Sequence, residues 1–133
     1  MRVLIAEDDM ASRKFLSKFL SAYGDCDVTV DGIEAIDAFL LAWDEGDPYD
    51  LICLDIMMPK VDGLKALKRI RELEQNKGIE GKQRAKIIMT TALNDQPTVI
   101  NSFQDGCQAY AAKPIDTVKL LEVVEKLGLI SKP

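Results

Sequence analysis

The sequence predicts an α/β domain, a five-stranded parallel sheet with helices on both faces. Short apolar runs alternate strictly with stretches of helical period, which implies parallel strands joined by right-handed crossovers. Two of the runs, Leu51–Leu54 and Ile87–Met89, are apolar without a break, as strands buried on both faces are. Charged or hydroxyl residues then close the runs, at the strand ends where open α/β sheets present their chemistry.

The first strand, about 2–7, contains Val3-Leu4-Ile5-Ala6 and runs into Glu7-Asp8-Asp9. A helix near 9–23 carries Phe15, Leu16, Phe19, Leu20 and Tyr23 on one stripe, with Arg13, Lys14, Ser17, Lys18 and Ser21 opposite. Asp9 reads as its N-cap. After a strand near 26–30, a helix at 32–45 opens on a capping box, Asp31 with Glu34 three residues on, and buries Ile36, Phe39, Leu40 and Trp43. The third strand, 49–54, ends at Asp55. The next helix, 62–75, shows Leu64, Leu67, Ile70 and Leu73 at spacings of three, with Lys65–Arg71 as a solvated face.

Gln75–Arg84, rich in Gly and charge, reads as a long solvated loop before a strand at 85–90. Thr90-Thr91 stands at the end of that strand. A helix near 95–105 has few apolar residues (Val99, Ile100, Phe103) and stops at Gly106. A strand at 107–112 and a helix at 115–127, with Val118, Leu121, Val124 and Leu127 as its stripe, complete the chain.

A length of 133 residues sets the expectation of one domain over 1–133 with no output domain. A net charge of −5 and a pI near 4.8 argue against a nucleic-acid partner. Cys26, Cys53 and Cys107 form no CxxC pair and the chain has no His, so a zinc site is not expected. The cysteines read as small buried hydrophobes in a reducing compartment. No leader or run of membrane-spanning length stands out, which makes a cytoplasmic protein without a membrane partner the expectation.

Glu7, Asp8 and Asp55, if they converge, form a site of pure oxygen chemistry. Two carboxylates about 4 Å apart repel by roughly 4 kcal/mol at an effective dielectric near 20. Such a cluster is relieved by a cation or by a proton held on a raised pKa. Oxygen ligands alone favour Mg²⁺. A carboxylate beside that ion can act as nucleophile toward phosphorus. Lys113 and Thr91, each at a strand end, can supply a cation and a hydroxyl to the phosphoryl oxygens.

These residues carry a resemblance. Leu4-Ile5-Ala6-Glu7-Asp8-Asp9, Asp31-Gly32-Ile33-Glu34-Ala35, Leu54-Asp55-Ile56-Met57-Met58-Pro59 with Asp62-Gly63, Thr91-Ala92 and Lys113-Pro114 come in order, each on its expected element. Over nearly its whole length the chain resembles a receiver domain of the two-component response regulators. The resemblance implies a flavodoxin-like (βα)5 fold with strand order 2-1-3-4-5. It implies Asp55 as phosphoacceptor, Thr91 and Lys113 as its catalytic partners, and Thr91 with Tyr110 as the switch. For Mg²⁺ it implies Asp8 and Asp55 as ligands, Glu7 acting through water and the backbone carbonyl of Met57. It further implies a cis Lys113-Pro114 bond and phosphorylation by a histidine kinase or histidine phosphotransfer protein.

In the same reading, phosphorylation switches the Asn94–Tyr110 surface to control an unnamed downstream protein in trans, or drives homodimerisation. The protein then catalyses only its own phosphoryl transfer and dephosphorylation. Glu7 departs from the family's more frequent Asp, and Gln75–Arg84 is longer than usual. Met57 and Leu93 are expected to shield the acyl phosphate from water. Two alternatives remain at this point: an aspartate-nucleophile phosphohydrolase, which needs a carboxylate where Met57 stands, and a degenerate receiver that only binds partners.

Overall fold

The computed structural model describes residues 1–92, 101 and 103–131. The elements in order are β1 Arg2–Ala6, α1 Met10–Leu20, β2 Asp25–Thr29, α2 Gly32–Asp44, β3 Leu51–Asp55 and α3 Gly63–Asn76. A 3-10 turn Gly81–Gln83, β4 Lys86–Ala92, β5 Ala109–Lys113 and α4 Thr117–Lys126 follow. All pairings are parallel, in the order β2-β1-β3-β4-β5. The implied strand order and fold are therefore present. The helix expected near 95–105 falls mostly outside the described residues; Asn101, Phe103 and Gln104 are helical.

Strand alternation divides the core in two. Leu4, Ala6, Ile52, Leu54, Ile87 and Met89 pack with Phe39, Leu67 and Ile70 of α2 and α3. Val3, Ile5, Leu51, Cys53 and Ile88 pack with Leu16 and Leu20 of α1 and with Leu120 and Val124 of α4. β3, at the centre, is buried at every position, which explains its unbroken apolar run. Full burial of a side chain such as Phe39 contributes about 2–3 kcal/mol.

The caps follow the sequence. Asp9 accepts from Ser12 N at 2.9 Å and Asp31 from Glu34 N at 2.8 Å, while the return bond of the expected capping box shifts by one residue, Glu34 Oε1 accepting from Val30 N, just before the cap, at 3.1 Å. Asp62 and Asp116 cap α3 and α4.

Several expectations are corrected. Tyr49 is buried but precedes β3, and β5 starts at Ala109 and ends on Lys113. In α1 only Leu16 and Leu20 of the stripe are fully buried, with Phe15 and Tyr23 exposed. In α4 the inward face is Leu120 and Val124, and Val118 is 64% exposed. Cys26 is only partly buried.

Gln75–Arg84 is not simply solvated. α3 continues to Asn76, Ile79 is buried, and Glu74, just before the segment, is fully buried. Glu74 accepts from Arg71 Nη1 at 2.6 Å and from Ala85 N at 2.9 Å. Arg71 therefore leaves the expected solvated face, and it also donates to Gly106 O at 2.9 Å and Gln108 Oε1 at 2.8 Å.

Candidate functional site

Alternation along three strands brings three charged side chains to one face of the sheet. Glu7 follows Val3 and Ile5, Asp55 follows Leu51 and Cys53, and Lys113 follows Ala109 and Ala111, all on the face covered by α1 and α4. Parallel pairing of β1, β3, β4 and β5 then sets the three strand ends at the same edge.

Oxygens of Glu7, Asp8 and Asp55 all lie within 4.8 Å of one another. Lys113 Nζ closes the cluster, 2.8 Å from Glu7 Oε2 and 3.1 Å from Asp55 Oδ2. Glu7 and Asp55 are buried and Asp8 is exposed, so the group opens to solvent on the Asp8 side. Met57 N donates to Asp55 Oδ1 at 3.2 Å, and Asp9 N donates to Glu7 Oε1 at 3.3 Å.

The electrostatics follow from this crowding. Burial, then the hydrogen bond and charge of Glu7, push Asp55 up to about 6, with Lys113 pulling the other way. Burial lowers the Lys113 pKa, but Glu7 and Asp55 outweigh it and the ammonium is held above its ordinary value. Three carboxylates against one ammonium leave a formal charge of −2. An all-oxygen donor set of that charge suits a hard dication, and Glu7, Asp8 and Asp55 each offer one oxygen to it.

Gly63 fixes where Asp55 sits. A Cβ on Gly63 would lie 2.2 Å from the Asp55 carbonyl oxygen, so the first turn of α3 packs on β3 only with glycine there. Gly63 N also donates to Ile56 O at 2.9 Å. The loop between carries Lys60 in the left-handed region, φ 65°.

The other expected residues are placed as follows. Thr91 is buried, and its hydroxyl donates to Ala92 O at 3.1 Å. Tyr110 is 47% exposed, edge-to-face on Phe103 with centroids 6.0 Å apart. The Lys113-Pro114 bond is cis. Met57 is 73% exposed, so shielding by its side chain is not visible as burial, and Leu93 lies outside the described residues.

A sequence profile of the response regulator receiver domain matches residues 3–125. The chain belongs to the response regulator receiver family. It is 33% identical over 123 residues to the chemotaxis protein CheY of Treponema pallidum, covering 91% of this chain and 78% of the relative. It spans only 7% of a hybrid signal transduction histidine kinase of Dictyostelium discoideum. Among solved structures it is similar to the CheX–CheY complex with BeF3 and magnesium from Borrelia burgdorferi (TM-score 0.81, 29% identity, 96% of this chain and 89% of that one). It is also similar to a receiver domain of Saccharomyces cerevisiae bound to its histidine phosphotransfer protein (TM-score 0.80, 27% identity, 99% and 93%). This receiver domain thus has the fold and family of two-component signalling. Among its described residues no helix is long and apolar enough to cross a membrane.

One residue beside the carboxylate cluster was not legible beforehand. Arg13, expected on the solvated face of the first helix, folds back and donates to Glu7 O at 2.9 Å and Asp8 O at 3.3 Å. Thr90 faces the same side as Asp55, its partner in register, and its buried hydroxyl has no partner among the described residues.

Proposed function

We propose that Asp55 is the phosphoacceptor of this receiver domain and that its phosphorylation, dependent on Mg²⁺, is the signal the protein carries. The observation that supports this most is the single ammonium shared by Asp55 and Glu7 inside a three-carboxylate cluster. The donor is the phosphohistidine of a kinase or phosphotransfer protein. The relationship of the yeast receiver to its phosphotransfer protein supports that class of partner.

In the transfer, one Asp55 oxygen forms the new O–P bond as the bond from phosphorus to the donor imidazole nitrogen breaks. The leaving nitrogen takes a proton from solvent. Asp8 and Asp55, with the Met57 carbonyl and with Glu7 through water, would hold Mg²⁺, which would supply positive charge to the phosphoryl oxygens. Lys113 already stands at Asp55 and moves little to pair with a phosphoryl oxygen. Arg13 holds the backbone of Glu7 and Asp8 against the repulsion their side chains create.

Thr91 exchanges its bond to Ala92 O for one to the phosphoryl group, and Tyr110 turns inward from Phe103. That change carries the message to the Asn94–Tyr110 surface, of which 94–100 and 102 lie outside the described residues. Moving such an equilibrium from 1:99 to 99:1 takes about 5.5 kcal/mol of differential stabilisation. The protein catalyses only its own phosphorylation and dephosphorylation. Met57 leaves a phosphohydrolase without its second carboxylate.

Incubation with a phosphoramidate donor, followed by intact mass, tests the reading. One phosphoryl group is gained with Mg²⁺ and none with chelator. Continuous release of phosphate with no lasting phosphoprotein would favour the hydrolase instead.

A further inference from the structure

Three cations meet at the opposite edge of the sheet, in a protein whose formal charge is −5. Lys82 on the 3-10 turn, Arg84 just after it and Lys86 at the start of β4 line an open groove of about 310 Å³. Its apolar wall is Trp43, Pro48 and Leu129. Among the described residues none of the three cations forms an ion pair. Arg84 is steadied by donating Nε–H to Ile79 O at 3.2 Å. The one carboxylate in the wall, Asp50, is occupied in accepting from Arg2 N at 2.8 Å.

Uncompensated positive charge beside an indole, a proline and a leucine defines the ligand. We infer that the groove docks an acidic peptide segment of a partner protein, one that mixes carboxylates with apolar side chains. A bare inorganic anion would leave the apolar wall unused, and Asp50 opposes a densely charged phosphate cluster. Exposed pairs contribute little singly, so charge sets orientation and approach while apolar contact with Trp43 and Leu129 supplies the rest.

The groove makes use of the Gln75–Arg84 connection, which the phosphoryl chemistry does not need. Asp50 immediately precedes β3 and Asp55 ends it, so the two sites lie about 16 Å apart at roughly 3.3 Å per residue. A partner held in the groove leaves Asp55 open to its phosphodonor.

Trp43 is the only tryptophan, so its emission reports occupancy directly. The test titrates the full chain with a short capped peptide of alternating Glu and Leu at low salt. A saturable change in Trp43 emission is expected, with amide shifts at 48–50 and 82–86. Lys82→Gln with Lys86→Gln is expected to weaken binding about tenfold, and Arg84→Gln further. Neither lysine ammonium bonds another described residue, so the double variant keeps its denaturation midpoint. Salt at about 0.5 M is expected to weaken wild-type binding as well. No saturable change, unaltered affinity in the variants, or equal binding of a Lys-Leu peptide overturns the inference. Saturation by inorganic phosphate alone with the same amide shifts overturns it too, in favour of a small-anion site.

Discussion

Lys113 Nζ stands 3.1 Å from Asp55 Oδ2 while also touching Glu7, so one cation at the end of β5 joins the ends of β1 and β3. Two buried carboxylates share that one charge. Lys113→Ala removes the influence that lowers the Asp55 pKa and leaves burial and Glu7 to act alone. The Asp55 carboxyl, followed by carbon-13 NMR, is expected to titrate above its wild-type value of about 6. Stability at neutral pH should fall by roughly 1–3 kcal/mol, less than for a fully enclosed pair because Lys113 is 21% exposed. An unmoved titration would mean that the contact is incidental.

A raised Asp55 pKa also sets a pH dependence. The folded metal-free protein holds the Asp55 proton more tightly than the unfolded chain does. Its contribution to stability is therefore full below the ordinary value of 3.8 and is lost as pH rises through about 6. Across that window the loss is at most about 3 kcal/mol. Asp55→Asn should remove this component, so denaturation curves of the two proteins should converge at low pH and separate above it, with the variant more stable. Mg²⁺ must displace the same proton, and its affinity is expected to rise through the same interval. Parallel pH profiles for the two proteins would contradict the assignment.

Gly63 and the Asp55 backbone approach too closely for any side chain. Gly63→Ala should cost about 1–3 kcal/mol, as overpacking at a rigid contact does. Because the strain falls on Asp55 itself, phosphorylation by a small donor should slow more than stability alone explains. Measuring both in one preparation distinguishes local displacement from general unfolding. A fast, fully active Gly63→Ala protein would show that the loop relaxes freely.

The Arg71–Glu74 pair fastens the end of α3 to the start of β4 and to the Gly106–Gln108 approach to β5. Glu74→Gln breaks a buried charge pair and is expected to destabilise the protein by about 3 kcal/mol in urea unfolding. Replacing both partners, Arg71→Met with Glu74→Leu, should cost less than the single change, since no uncompensated charge remains. A double variant as unstable as the sum of its parts would place the stabilisation in the hydrogen bonds to the backbone instead.

The unbroken apolar runs and the caps made the strands and helix starts legible, because burial and N-cap chemistry are local signals. Strand order was not local; it followed from the resemblance carried by Glu7-Asp8, Asp55, Thr91 and Lys113. The face of α4 was misread because Val118, Leu120, Leu121, Val123, Val124 and Leu127 offer two overlapping stripes, and only the position of the sheet selects Leu120 and Val124. Arg71 looked solvated because its partners Gly106 and Gln108 arrive from a distant segment, and the bond from Ala85 to Glu74 is equally non-local. Arg13 escaped for the same reason in miniature, its acceptors being backbone carbonyls that no side-chain pattern displays.

Reduction of the phosphorylated protein with borohydride, followed by peptide mass mapping, tests the central claim most directly. An acyl phosphate on Asp55 is converted to a homoserine at that position, and the Asp55→Asn protein shows no such product. Label on Glu7, Asp8 or any other residue in the wild type, or undiminished label in Asp55→Asn, would contradict it.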